Sequence, residues 1–218
     1  DDSFVDAPVM KIGGEDFYFP VGNLVFYAPA GLLDISSGDG NPELFSVFYL
    51  FDDNGARDLW LLFPDRVVNM KRVSRQEFWM INRSDDLEGQ VYDANSSAHV
   101  SLSWHTNRSG SIGYPPGLQV AHWEADNTAP SPTDLGVWDT RGNNTPDITG
   151  GYNSGGYPFT SGTIKSIFVS NDFSPFTLGT FNLNNILPIE LLYFEGEAKE
   201  DFVELRWETV SEYSNDYF

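Results

Sequence analysis

The segment LPIELLYFEGEAKEDFVELRWETVSEYSNDYF, Leu187 to Phe218, holds two runs in which apolar and polar residues change sides at every step. In ELLYFEGEA, Leu191, Tyr193 and Glu195 fall on one side and Leu192, Phe194 and Gly196 on the other. In FVELRWETV, Phe202, Glu204, Arg206 and Glu208 oppose Val203, Leu205, Trp207 and Thr209. A period of two belongs to the pleated strand, whose successive side chains project to opposite faces. The charged link Lys199-Glu200-Asp201 joins the runs as a hairpin. Two strands cannot bury a core by themselves, so the pair reads as the opening of a module whose other strands would follow Phe218.

The same period recurs upstream. Strands are expected at Val9 to Ile12, Asp16 to Val21, Leu24 to Ala28, Leu44 to Phe51, Glu77 to Asn82, His99 to Trp104, Leu118 to Trp123, Gly136 to Trp138 and Gly162 to Val169. Stretches rich in turn formers separate them, among them Ile35 to Glu43, Asp52 to Asp58, Asn107 to Gly117, Ala125 to Asp134 and Thr140 to Pro158. The chain carries 17 Phe, 10 Tyr and 6 Trp between 20 Gly and 13 Pro, and large flat side chains between close turns suit packed sheets. No stretch holds a capped pattern of period 3.6 long enough for a confident helix. Short strands at this spacing predict an all-β fold, an antiparallel β-sandwich of the jelly-roll or immunoglobulin-like kind, over residues 1–179. The polar stretch 180–187 reads as a linker, and residues 188–218 as the first strands of the next module.

That last segment resembles the fibronectin type III-like module found near the C-terminus of many large secreted proteins of Bacteroidetes-type bacteria. The resemblance rests on Leu187-Pro188-Ile189-Glu190-Leu191-Leu192-Tyr193-Phe194, on Val203-Glu204-Leu205-Arg206-Trp207-Glu208-Thr209-Val210-Ser211-Glu212, and on Asn215-Asp216-Tyr217-Phe218. Upstream, Phe4 to Asn23, Tyr27 to Gly31, Glu77 to Arg83, Val100 to Trp104, Leu118 to Trp123 and Phe173 to Gly179 are more loosely similar to the β-rich module that often precedes it. The resemblance implies export to the cell surface, commonly by type IX secretion machinery. It implies no reaction and supplies no active-site residues.

Composition narrows the function classes. With 32 Asp plus Glu against 12 Lys plus Arg, the formal net charge is −20, a field that repels nucleic acid phosphates and anionic headgroups. The carboxylates are spread along the chain, as on a solvated face. No cysteine is present, which excludes a disulfide framework, a thiolate metal site and a thiol nucleophile. No apolar run is long enough to cross a membrane as a helix, and the opening Asp1-Asp2-Ser3 lacks the pattern of a signal peptide. No G-x-S-x-G elbow occurs, and so many carboxylates empty any single pair of meaning for glycoside hydrolysis.

Two binding chemistries remain. Calcium takes six to eight oxygen ligands, and two loops offer them: Asp34, Ser36, Asp39 and Asn41 in the first, Asp52, Asp53, Asn54 and Asp58 in the second. Neither follows the twelve-residue EF-hand pattern; hairpin turn chemistry accounts for the same residues, as it does for Ser84 to Glu88. Glycans would instead stack on exposed aromatics. Tyr114, Trp138, Tyr152 and Tyr157 are the candidates, with Trp60 beside them; Trp123 is a further aromatic of this kind but, like Trp79 and Trp104, reads as core from its alternating strand context. The apolar run Leu59 to Phe63 reads as a buried edge or a subunit contact. His99, His105 and His122 lack the spacing of a metal pair and read as packing or surface residues. The sequence thus predicts a non-catalytic adhesive or structural module of an exported surface protein, whose partners would be neighbouring domains or copies, glycans and the secretion machinery. The competing reading is a carbohydrate-binding domain accessory to a secreted polysaccharide-degrading enzyme.

Overall fold

The computed structural model describes residues 3–51, 67–124, 136–143, 147–149, 160–173, 175–187, 191–199 and 202–209. The fold is all-β, built on two facing sheets, and among the described residues the named strands pair antiparallel save at one edge. The larger sheet runs β1 (Val9–Ile12), β4 (Leu44–Phe51), β7 (Glu77–Arg83), β16 (Phe176–Thr180), β12 (Leu118–Glu124), β13 (Val137–Gly142) and β5 (Val67–Val68), with β6 (Arg72–Val73) beside β16. Only β13 and β5 run parallel, pairing Trp138 with Val67. The smaller sheet runs β14 (Asp147–Thr149), β15 (Ser161–Lys165), β10 (Ser97–His105), β3 (Ala30–Ser36) and β2 (Phe17–Phe19). Three two-stranded pairs complete the described strands: β8 (Asp86–Leu87) with β9 (Gln90–Val91), β11 (Ser111–Ile112) with β17 (Asn185–Ile186), and β18 (Leu191–Ala198) with β19 (Val203–Thr209).

Alternation decides what lies between the sheets. From the larger come Phe45, Val47 and Tyr49 of β4, Trp79 and Ile81 of β7, Leu118 and Val120 of β12, and Phe176 and Leu178 of β16. From the smaller come Phe19, Ala30, Leu32, Ala98, Val100, Leu102, Trp104 and Ile164. All are buried, and each such side chain contributes about 1.5–3 kcal/mol relative to exposure. A second cluster lies at Phe78, Ala121, Trp123 and Trp138, at alternate positions to the inward residues, with Val73. The large sheet is therefore apolar on both faces in its middle strands, and β16 is buried at every position.

Several expectations need correction. The expected strand at Leu24 to Ala28 is a tight turn, in which Asn23 Oδ1 accepts from the Phe26 N–H at 2.8 Å, and the strand follows at Ala30. Within β3, three steps from Leu33 to Ser36 oppose two from His99 to Ser97, a bulge at which Asp34 takes a φ of 51°. The expected loop at Thr140 onward instead continues β13 to Gly142 and contains β14. The stretch 180–187 is bound into the sandwich rather than free as a linker. Thr180 ends β16, Asn185 and Ile186 pair with β11, and Leu187 is 1% exposed in the main core. In β18 and β19, Gly196 pairs with Leu205 and Ala198 with Val203, while Glu195 pairs with Arg206 and Glu197 with Glu204. This reproduces the apolar and charged sides expected of that hairpin.

Leu187 discriminates a packed strand end from a free linker. Leu187→Ala should lower the unfolding free energy by about 2–4 kcal/mol in urea titrations, whereas a solvated linker position would move it by less than about 0.5 kcal/mol.

Candidate functional site

Buried charge marks one end of the sandwich. Strand β10 ends at His105, and the helical turn Thr106–Ser109 reverses the chain. His105 Nδ1 accepts the Asn107 N–H at 3.1 Å and caps this turn. The reversal carries Arg108 into the interior, where it is 3% exposed and ion-paired with Glu77, which is 0% exposed. Arg108 also donates to Ser103 Oγ at 2.8 Å, and its guanidinium lies 5.6 Å from the Trp79 ring and 5.7 Å from the Tyr49 ring. Tyr49 donates its hydroxyl to Glu77 at 3.2 Å. Burial, with the Glu77 carboxylate beside it, holds the Tyr49 phenol well above its ordinary range. The pair thus ties β4 and β7 of one sheet to the end of β10 in the other.

Above Arg108 opens a cleft of about 560 Å³. One wall is aromatic and comes from two short segments, at Phe4 and at Val25 to Pro29, held together through Val21 and Gly22. Val5 bridges Val21 and Gly22 bridges Tyr27, while the Phe4 and Tyr27 rings stack at 6.3 Å between centroids. Gly22 permits this approach, because a Cβ there would lie 2.2 Å from the Phe26 carbonyl oxygen and 2.7 Å from the Phe4 ring. The opposite wall is polar: Ser103, His105, Asn107, Ser161 and Thr163, with Trp104 and Arg108 among the lining residues. Trp104 Nε1 and Arg108 Nε are buried without a hydrogen-bond partner. Among the described lining residues no carboxylate occurs.

The aromatic candidates fall elsewhere. Trp138 is 0% exposed, with Trp123 at 5.4 Å and Phe78 at 5.9 Å between ring centroids, so it packs the second cluster and offers no platform. Trp123, 4% exposed, shares that fate, while Trp79 and Trp104 lie in the main core as expected. Tyr114 is 48% exposed, but it stands outside the cleft on a loop held by Asn185, whose side chain accepts from the Tyr114 N–H and donates to its carbonyl. Tyr152, Tyr157 and Trp60 lie outside the described residues. The residues that do form the cleft, above all Tyr27 and His105, went unremarked as binding residues because four separate segments supply them.

The acidic candidates also resolve into local structure. Asp34 Oδ2 accepts from Lys165 Nζ at 2.5 Å, and this partner holds its carboxyl below the ordinary range. Asp39 Oδ1 caps the Asn41 N–H at 2.9 Å. Their loop is organised by Asp93, which the sequence did not flag. Its carboxylate is buried and accepts from Ser37 Oγ, from the Gly38 and Asp39 N–H groups and from the Asn95 N–H. Desolvation pushes this carboxyl up, but the hydrogen bonds together outweigh it and hold it far below the usual carboxylate range. The first loop is thus a turn built around an internal carboxylate, and it corrects the calcium expectation for Asp34, Asp39 and Asn41. Among the described residues no three His, Asp or Glu side chains converge as metal ligands. Asp52, Asp53, Asn54 and Asp58 lie outside the described residues. Ser84 to Glu88 leads into the two-residue hairpin of β8 and β9, with positive φ at Glu88 and Gly89.

His122 is 0% exposed and packs on Phe176 at 4.5 Å between ring centroids. Its Nδ1 lies 3.1 Å from Arg141 NH2, which also pairs with Glu124. Burial, aided by the Arg141 charge, pushes His122 down to about 4. Compared with protein-family models, with curated proteins and with solved structures, the chain gives no match.

Two measurements check these assignments. Arg108→Leu leaves Glu77 buried and uncompensated and should cost about 3–5 kcal/mol, while adding Glu77→Leu should recover much of that loss. A larger loss in the double variant would contradict the pair. Acid unfolding should proceed in two stages. Between pH 6.5 and about 4 the unfolded chain binds a proton at His122 that the folded chain resists, so stability falls as pH falls through that window. Asp93 favours folding above the unfolded carboxylate range, and that contribution is lost progressively below pH ~4. His122→Gln should remove the first stage and Asp93→Asn should flatten the second.

Proposed function

We propose that this chain is a non-catalytic adhesive module of a large exported bacterial surface protein, making its contact through the cleft between Tyr27 and His105. The observation that carries the reading is the chemistry of the cleft. It pairs an aromatic wall with neutral hydrogen-bonding groups, and no carboxylate occurs among its described lining residues. Acid–base chemistry needs a group poised to exchange protons with a substrate. Among the described lining residues the imidazole is that of His105, and its Nδ1 is already engaged by the Asn107 N–H. Arg108 is neutralised by Glu77.

Other features support the setting. The strand pair Leu191–Ala198 and Val203–Thr209 fits the resemblance to a fibronectin type III-like module, which carries the proposal of export by type IX secretion machinery. A net charge of −20 keeps crowded copies apart. Val25, 72% exposed, lines the cleft on the Asn23–Phe26 turn, next to Leu24, which is 89% exposed, and exposed apolar groups suit contact better than solvation.

Beads coated with the full chain should adhere to the surfaces of the bacteria that display it or to their extracellular matrix. Adhesion should drop at least severalfold with Tyr27→Ala, and matrix polysaccharides should gain no reducing ends during contact. Undiminished adhesion by the variant would move the contact away from the cleft, and release of reducing ends would make the chain an enzyme.

A further inference from the structure

We infer that the cleft takes a neutral saccharide rather than an acidic one, an assignment that rests on the proposed reading of the cleft as the contact site. Its size comes first: about 560 Å³ falls within the range of small-molecule sites, roughly 300–1,000 Å³, and is open at its mouth.

Its surfaces divide as a sugar ring divides. A pyranose has apolar C–H faces and an equatorial belt of hydroxyls, so it needs an aromatic plane on one side and donors and acceptors around its edge. Tyr27, 37% exposed and braced by Phe4, provides the plane. The hydroxyls of Ser103 and Thr163 and the amide of Asn107 both donate and accept. Since His105 Nδ1 accepts the Asn107 N–H, the neutral imidazole carries its proton on Nε2, which adds a donor. Trp104 and Arg108 also belong to the lining, but their Nε1–H and Nε–H are buried, so the hydroxyl, amide and imidazole groups are the ones that serve the ring's edge.

Charge selects within the class. A uronate or sulfate group needs a surplus of positive charge at the site, more so against a chain of net charge −20. Among the described lining residues Arg108 is the one formally charged, and Glu77 pairs with it directly. The guanidinium, buried and already donating to Glu77 and Ser103, therefore gives the cleft no net attraction for an anion. Among the described lining residues no carboxylate supplies a strong acceptor set for a cationic amino sugar either.

The test is titration calorimetry of the full chain at pH 7 against neutral oligosaccharides, namely gluco-, manno-, xylo- and galacto-oligomers, and against oligouronates of equal length. At least one neutral series should saturate a single site. Tyr27→Ala should weaken it about tenfold or more, as loss of a stacking aromatic does. Thr163→Val, which keeps shape and removes one hydroxyl, should weaken it severalfold with an unchanged urea midpoint. Binding confined to oligouronates, binding indifferent to both variants, or no saccharide binding at all would each overturn the inference. If the bead assay still loses adhesion with Tyr27→Ala while no saccharide binds, the cleft remains the contact and only its ligand class falls.

Discussion

A guanidinium buried against two aromatic rings constrains much of this molecule. Arg108 cannot stay charged in the interior unless a carboxylate meets it and its remaining donors are served. Glu77, Ser103 and Ser109 do this for its two terminal nitrogens while Nε lacks a partner, and the Trp79 and Tyr49 rings pack against the cation. These partners come from β4, β7, β10 and the turn that follows β10, so satisfying one charge fixes the separation of the two sheets at that end. Trp79 in turn donates its indole N–H to the Ala28 carbonyl at 2.8 Å, which anchors the segment leading to Tyr27. The floor and the aromatic wall of the cleft thus depend on the same network, and a ligand would meet a surface organised before binding.

The opposite end of the smaller sheet shows the same device with the other sign. Asp93 is a buried carboxylate whose acceptors are filled by hydroxyl and backbone donors from Ser37 to Asn95. It holds the Gly-rich turn that follows the Asp34 bulge. Acidic loops that read as cation sites on composition are here internally satisfied, because Asp and Asn bond nearby N–H groups as readily as they bind an ion.

What the sequence revealed and what it hid follow from how strands are buried. Strands β1 and β4 were legible to the residue, since each alternates and is bounded by turn formers. Strand β16 was not, because FTLGT is only five residues long, follows Pro175 and contains a Gly, so that it reads with the turn formers around it although every position is buried. Strand β3 was hidden by its bulge, where Asp34 interrupts AGLLDIS at positive φ. Trp138 misled for a separate reason: in a sandwich with one wet face it would be exposed, but the second cluster buries it. The cleft lay beyond sequence reasoning, because Tyr27, Ser103, His105 and Thr163 meet only when β3, β10 and β15 pair.

The most direct measurement is a two-dimensional amide and indole NMR spectrum of the full chain, with the Trp104 Nε1–H resonance assigned through Trp104→Phe, followed through titration with the neutral oligosaccharides. The account predicts that the Trp104 indole and the Tyr27, His105 and Asn107 amides shift together and saturably, while the Trp123 and Trp138 indoles stay fixed. Shifts centred on Trp138 or Tyr114, with Trp104 and His105 unmoved, would contradict it.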